Sequence, residues 1–264
     1  MMHIVVCAKH VPDPEAAFSM FKVDETAKRV VPASGLPFVM SPFDEQAVEA
    51  ALRIREQGMD AKITIVTLGP ESARNAIRHG LAMGADEGVL LCDAGWEEAD
   101  AHMTAHALAA AIRKLGMCDL VLAGRQSADW DAGVVGAGVG ELLGLPVVSF
   151  AQDIRVQGNA VRVERVVEDA TEVVDAALPA LVTVSNELGA ARKPNLRETM
   201  RAARKPVKTW GAGDLDLDAQ ALSPRSRRER LHVPVKKVRC EFIAGSVTEQ
   251  AMALARHLHA ENLI

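Results

Sequence analysis

The sequence predicts an α/β fold: a mostly parallel sheet with helices on both faces, antiparallel strand additions and an extended C-terminal arm. Three observations predict it. Short apolar runs such as "HIVVCA" and "DLVLAG" lack the period-two alternation of a half-exposed strand, so both of their faces are buried. From the N-terminus to Gly144 such runs alternate with segments of helical periodicity, the order of a parallel sheet covered by helices. After Pro146, strand-like segments follow one another without helices between them.

The elements follow in order. His3 to Ala8 is the first buried strand. Phe21 to Val23 and Arg29 to Val31 flank a polar turn and read as a small hairpin. Ser41 then stands as an N-cap, Pro42 as the first helical residue and Asp44 as the third. Phe43, Ala47, Ala50, Ala51 and Ile54 recur at helical spacing until Gly58 closes the helix. "AKITIVTLGP" is the next strand, and Gly69-Pro70 opens a helix from Glu71 to about Met83. "EGVLLCD" is a third strand, followed by a helix over roughly Ala99 to Leu115. "DLVLAG" is a fourth, followed by a glycine-rich loop and a helix ending near Gly144. "VVSFAQDIRV", "NAVRVERVV", "TEVVDAAL" and "ALVTVS" read as antiparallel additions to the same sheet, with a turn at Gly158-Asn159. Beyond Asn186 the chain is basic, and residues 211–237 are Pro- and charge-rich with weak periodicity. A closing helix puts Ala251, Leu254, Ala255 and Leu258 on one face. The division expected is an α/β nucleotide-binding domain over 1–210 and an arm with its helix over 211–264. An arm with little core of its own lies on a partner.

Composition narrows the function classes. The 264 residues suit one large domain with extensions, and an apolar content of 49% supplies a sizeable core. A net charge of −5 and an aromatic content of 3% argue against nucleic acid, which calls for basic patches and stacking platforms. No apolar stretch reaches the roughly 20 residues of a membrane span, and the N-terminus lacks the basic start and long apolar core of a signal peptide. Cys7, Cys92, Cys118 and Cys240 are far apart and form no CxxC, as in a reduced cytoplasmic protein. The expectation is a cytoplasmic chain with no membrane insertion and no nucleic-acid partner.

The loop "GRQSADWDAGVV", from Gly124 to Val135, carries the densest chemistry. In an open parallel sheet, ligands sit at the carboxyl ends of the strands, where Ala8, Leu68 and Gly124 all fall. A helix N-terminus offers free N–H groups to a phosphate, and glycine lets the backbone approach it. Arg125 supplies a positive charge and Gln126 reads an amide or ribose edge. Asp129 and Asp131 sit in the same turn; they oppose a triphosphate and tolerate a monophosphate, most readily with Asp131 as the helix N-cap. The competing reading is a glycine-rich helix packed close on the sheet. "GAGVG", Gly136 to Gly140, lies inside the helix and reads as close packing. There is no GxxxxGK[ST], no HExxH and no GxSxG, and no metal site is expected. Ser127, His79 and Asp86 make a triad only on paper. No catalytic acid, base or nucleophile is expected.

With these segments placed, the chain resembles the β subunit of electron-transfer flavoprotein, including its FixA-type relatives. The resemblance covers Met2 to about Val207. It is carried by "IVVCAKHVPD", "MSPFDEQAVEAALRIRE", "TLGPESARNAIRHGLAMGAD" and "DLVLAGRQSADWD", and continues through "VERVVED", "LPALVTV" and "LRETMRAARKPV". It implies a Rossmann-like, adenine-nucleotide-binding fold paired with an α subunit that holds the redox-active FAD. The heterodimer carries electrons from dehydrogenases, such as acyl-CoA dehydrogenase, to an acceptor such as a quinone oxidoreductase. The β subunit holds a structural AMP, or a second FAD in electron-bifurcating relatives. The resemblance puts the nucleotide contacts on Ala8, on Ser41, Pro42, Phe43 and Asp44, on Leu68, and on the loop residues Gly124, Arg125, Gln126, Ser127, Ala128, Asp129, Trp130, Asp131, Ala132, Gly133, Val134 and Val135. Val134 and Val135 replace polar groups common in the family, and that substitution favours AMP over FAD. The docking leucine aligns with Leu196. Asn195, Leu196 and Met200 are expected to form an apolar knob flanked by Arg192, Lys193, Arg197, Arg201 and Arg204. The arm and terminal helix are expected to wrap the α subunit. The alternative is a free-standing adenine-nucleotide sensor of the same fold, for which the arm has no use; an adenylating enzyme lacks its glycine-rich loop after Ala8.

Overall fold

The computed structural model describes residues 1–217, 221, 223–233 and 240–264. Parts of the expected arm, 218–220, 222 and 234–239, lie outside the described residues. The elements in chain order are β1 (Met2–Cys7), β2 (His10–Pro12), β3 (Phe21–Asp24), β4 (Arg29–Pro32), β5 (Phe38–Met40), α1 (Pro42–Glu56), β6 (Ala61–Leu68), α2 (Arg74–Met83), β7 (Glu87–Leu91), α3 (Ala101–Leu115), β8 (Leu120–Gly124), α4 (Val135–Leu143), β9 (Val147–Gln157), β10 (Ala160–Val167), β11 (Ala170–Ala177), β12 (Ala180–Val184), α5 (Leu196–Ala202), β13 (Val207–Trp210) and α6 (Val247–Ala260). The chain packs as two units, residues 1–22 with 30–229, and residues 23–29 with 230–264.

The first unit is built on a nine-stranded sheet in the order β11-β10-β9-β12-β8-β1-β6-β7-β13. β1 lies in the interior, parallel to β6 on one side and β8 on the other. Its apolar run serves two cores at once. Ile4 and Val6 face one layer with α1 and α2, while Val5 and Cys7 face the other with α3 and α4. Both sets are buried, which is why the run does not alternate with polar residues. The mostly parallel sheet with helices on both faces is the fold class that the sequence predicts.

Two expectations change, and one strand is added. β12 is not an antiparallel addition: it runs parallel to both β8 and β9 and sits between them. All five of its residues are buried, as a strand covered on both faces requires. Only β9, β10 and β11 form the antiparallel meander. The helix expected from Glu71 opens with a 3-10 turn, Glu71–Ala73, before α2 begins. "VKTW" in the basic stretch is a strand, β13, which pairs parallel with β7 at the sheet's end. The close-packing reading of "GAGVG" agrees with the structure: a Cβ on Gly136 would stand 2.9 Å from Thr183 Cγ2, and one on Gly140 would collide with Val147. In the second unit, α6 starts on a reciprocal cap between Ser246 and Glu249, and none of its residues is buried.

Candidate functional site

Strand order places the site. After β1 the chain crosses to β6, on one side; after β8 it leaves toward β9, on the other. The crevice outside the carboxyl ends of β1 and β8 is therefore a topological switch point, where open α/β sheets bind their ligands. A cavity of about 1190 Å³ lies there.

Asp44, in the first turn of α1, ties the two strand ends together. Its Oδ2 accepts the Lys9 N–H at 2.7 Å and its Oδ1 accepts the Gly124 N–H at 3.0 Å. Burial pushes this carboxyl up to about 7, against the pull of those two N–H groups and of the Lys9 charge. Gly124 cannot carry a side chain here. A Cβ would stand 2.5 Å from Asp44 Oδ1 and 2.7 Å from Phe43 Cβ. Ser41 occupies the N-cap position of α1 but makes no side-chain cap bond; its hydroxyl accepts the Ala128 N–H at 3.3 Å. The residue expected as a helix cap thus fastens the loop instead.

The loop is ordered by its own charges. The Lys9 ammonium lies 2.7 Å from Asp129 Oδ2. Gln126 donates to Asp131 Oδ1 at 3.0 Å, and Arg125 Nε donates to Gln126 Oε1 at 3.3 Å. The Arg125 guanidinium stands 5.2 Å from the Phe150 ring and 6.0 Å from the Phe43 ring. Phe150 sits at a register shift in β9 with φ of +65°, a conformation that bulky residues rarely adopt. That strain holds an aromatic face beneath the loop's arginine.

Asp131 is not the N-cap of α4. It has φ of +50°, lies four residues before the helix, and spends its carboxylate on Gln126. Val134 holds the N-cap position and makes no side-chain cap bond. The first N–H groups of a helix have no intrahelical partner, so this end stays receptive to an anion.

Of the residues expected at the nucleotide, Ala8, Asp44 and Leu68 line the cavity, as do Gly124, Arg125, Gln126, Ser127, Asp129, Trp130, Ala132, Gly133, Val134 and Val135. Ser41, Pro42, Phe43, Ala128 and Asp131 are not among its lining residues. Sequence reasoning missed Lys9, Asp93, Trp96, Arg227 and Arg228, which also line it. Lys9 follows directly on the first strand and was legible as a strand-end cation; nothing in the pattern marked the two arginines. His79 lies against Glu45 and Asp86 against Arg55, so the paper triad with Ser127 is not assembled. Among the described residues no cluster of His, Cys, Asp or Glu is arranged to hold a metal ion.

The lining fits an adenine nucleotide. It combines an uncapped helix N-terminus, two cations from the body of the fold, a glycine pressed against α1, and apolar walls from Leu68, Leu181 and Val139.

A second feature lies on α5. Leu196 is 77% exposed and Met200 66%, in a shallow depression lined also by Arg197, Arg201 and Arg204. Asn195 and Glu198 cap the helix reciprocally. Arg192 and Lys193, expected in the charged ring, are instead committed to Glu49, Glu56 and Glu45 on α1. Among the described residues no helix is long and apolar enough to cross a membrane.

Residues 29–215 match the model of the electron transfer flavoprotein domain. The chain is 35% identical to the caffeyl-CoA reductase-Etf complex subunit CarD of Acetobacterium woodii, over 100% of both chains. It is 36% identical to the electron transfer flavoprotein subunit beta of Clostridium acetobutylicum, again over 100% of both. To the protein FixA of Azorhizobium caulinodans it is 36% identical over 82% of this chain and 78% of the relative. The resemblance first carried by the "GRQ" loop and the "GLAMGAD" segment thus extends over the whole fold, and the chain belongs to the electron transfer flavoprotein family.

Proposed function

We propose that the chain is an electron transfer flavoprotein β subunit that holds one adenine nucleotide in the cavity between β1 and β8 and pairs with an α subunit carrying FAD. The observation that carries the nucleotide is the uncapped N-terminus of α4 opening on a switch-point cavity that Lys9 and Arg125 also line. Bound FAD supplies the redox chemistry; this chain's residues bind, orient and dock. Arg125, backed by Phe43 and Phe150, brings positive charge to the phosphate side. The Asp44 bonds to the Lys9 and Gly124 N–H groups keep both strand ends fixed.

AMP is the first reading, because Val134 and Val135 leave no side-chain donors where a diphosphate and flavin need them. A second FAD is the alternative, and the cavity volume of about 1190 Å³ favours it, exceeding the range of roughly 300–1,000 Å³ common for ligand pockets. The knob of Leu196 and Met200 meets dehydrogenases such as acyl-CoA dehydrogenase. A quinone oxidoreductase or similar acceptor takes the electrons. The C-terminal region, 211–264, docks the α subunit; α6 supports this, with Val247, Met252 and Leu254 all exposed. The complex works in the cytoplasm as a carrier. Denaturing the purified heterodimer and counting released nucleotides tests the reading. One FAD and one AMP is the expected result; two FAD and no AMP replaces the first reading with the alternative, and a single FAD alone refutes a nucleotide in this chain.

A further inference from the structure

The cavity has a wall that the family resemblance does not assign. The segment 224–228, far along the chain from the loop, lines it with Pro224, Ser226, Arg227 and Arg228. This segment has no helix or strand to hold it. Contacts near its two ends help to fix it.

The first is Asp100, the N-cap of α3. Its Oδ1 accepts the Met103 N–H at 2.9 Å, the usual work of a cap. Its Oδ2 faces the other way. It accepts the Arg225 N–H at 2.7 Å, the Ser226 N–H at 2.8 Å and the Ser226 hydroxyl at 3.1 Å. Three donors on one carboxylate oxygen make a charge-assisted anchor. The second contact is Arg228, whose guanidinium lies 4.7 Å from the Trp130 ring centroid. Trp130 belongs to the Gly124–Val135 loop, so the segment bridges from the start of α3 to the loop across the cavity's mouth. Trp130 is 49% exposed, which leaves the stack open to solvent and separable.

We propose that residues 224–228 are a strap that closes the adenine-nucleotide cavity, and that Arg227 and Arg228 on it add to the cations that hold the anionic ligand. This rests on the nucleotide reading above. The strap supplies what the rest of the lining lacks. Lys9 is partly neutralised by Asp129, and Glu71, Asp93, Glu97 and Glu98 add negative charge to the lining. An anion held there gains from Arg228 and from the part of the Arg227 charge that Glu229, 3.1 Å away, leaves over. Because both anchors lie outside the two hydrophobic cores, the strap opens without unfolding the sheet. Asp100 acts as a positioning residue: it touches the strap, and the strap touches the ligand.

The test uses the full chain loaded with radiolabelled AMP, chased with excess unlabelled AMP, and repeated with FAD. Asp100→Asn keeps the oxygen that caps Met103 and turns an NH2 group toward the Arg225 and Ser226 N–H groups. It releases the strap and spares the cap. Bound nucleotide should leave about tenfold faster, with the melting temperature unchanged and acrylamide quenching of Trp130 increased. Arg228→Gln, at a half-buried side chain, loosens the other end and should speed release several-fold, with a shallower salt dependence. It also stands as the check if Asp100→Asn folds poorly. A wild-type chain that holds AMP or FAD and releases it no more slowly than both variants refutes the strap. A wild-type chain that holds neither AMP nor FAD overturns the nucleotide reading itself, and the strap's role with it.

Discussion

Asp44→Asn sets burial against hydrogen bonding at a single atom pair, and the two effects predict opposite outcomes. The Asp44 carboxyl is buried and accepts one N–H on each oxygen. Burial raises it from an ordinary 3.8 to about 7. Below the ordinary value both the folded and unfolded chains are protonated. Between the two values the folded chain keeps a proton that the unfolded chain has lost, so stability falls as pH rises through the window and levels off above it. From pH 5 to pH 8 the loss from this group is about 2–3 kcal/mol, at ~1.4 kcal/mol per unit. Asparagine does not titrate, but its NH2 group cannot accept the N–H that the second carboxyl oxygen holds, whereas the protonated acid keeps a lone pair for it. The variant should therefore be less stable than the wild type by about 1–3 kcal/mol at pH 5, for the N–H left unpaired, and recover about 2 kcal/mol relative to it by pH 8. Urea unfolding at both values measures the difference, and comparing the two chains cancels every other titrating group. A variant that instead loses stability against the wild type on going from pH 5 to pH 8 would show that the two N–H donors outweigh burial and keep the carboxylate ionised throughout.

Other substitutions separate scaffold from docking. Gly124→Ala forces a Cβ against Phe43 and Asp44, where backbone and a bonded carboxylate cannot give way; thermal unfolding should show a loss of roughly 1–3 kcal/mol, with weaker nucleotide retention. Leu196→Ala removes an exposed side chain, so stability should stay within about 0.5 kcal/mol while electron transfer from the dehydrogenase slows and FAD content holds. Loss of FAD together with rate would make Leu196 a structural residue. Leu215 is buried in the first unit, so the arm is best removed after Glu229; that shortened chain should fold and fail to co-purify with the α subunit, and an unchanged heterodimer yield would sink the docking proposal.

The parallel sheet was legible because its strands are buried on both faces and say so in unbroken apolar runs. The loop from Gly124 to Val135 was legible because glycine, arginine and acidic residues at a strand's end have few other uses. Neighbour relations were not. The apolar content of "ALVTV" announces a buried strand but is silent on which strands flank it, so β12 was expected in the meander. Asp44 at the third helical position looks like an ordinary first-turn acid, and only the fold reveals that its oxygens face Lys9 and Gly124. Asp131 carries the right chemistry for a cap, but its left-handed backbone turns it into the loop before the helix begins. The segment at Arg227 and Arg228 has no periodicity to read, because two polar contacts rather than a packed face hold it.

The place of β12 has a consequence for the order in which the protein assembles. β9 follows β8 in the chain but does not pair with it; a gap one strand wide is left, which β12 fills after the β9–β11 meander is made. Closing that gap brings together residues about sixty positions apart, a slow step relative to forming the hairpins. The Arg125 N–H is bonded to the carbonyl of Val184, the last residue of the inserted strand. During synthesis, the loop at Gly124 thus leaves the ribosome well before the strand that bonds its second residue, Arg125. The β8 side of the cavity is complete only after the C-terminal end of β12 has emerged, and a chain interrupted before Val184 holds the loop's entry by the Asp44 bond to Gly124 without the strand bond to Arg125.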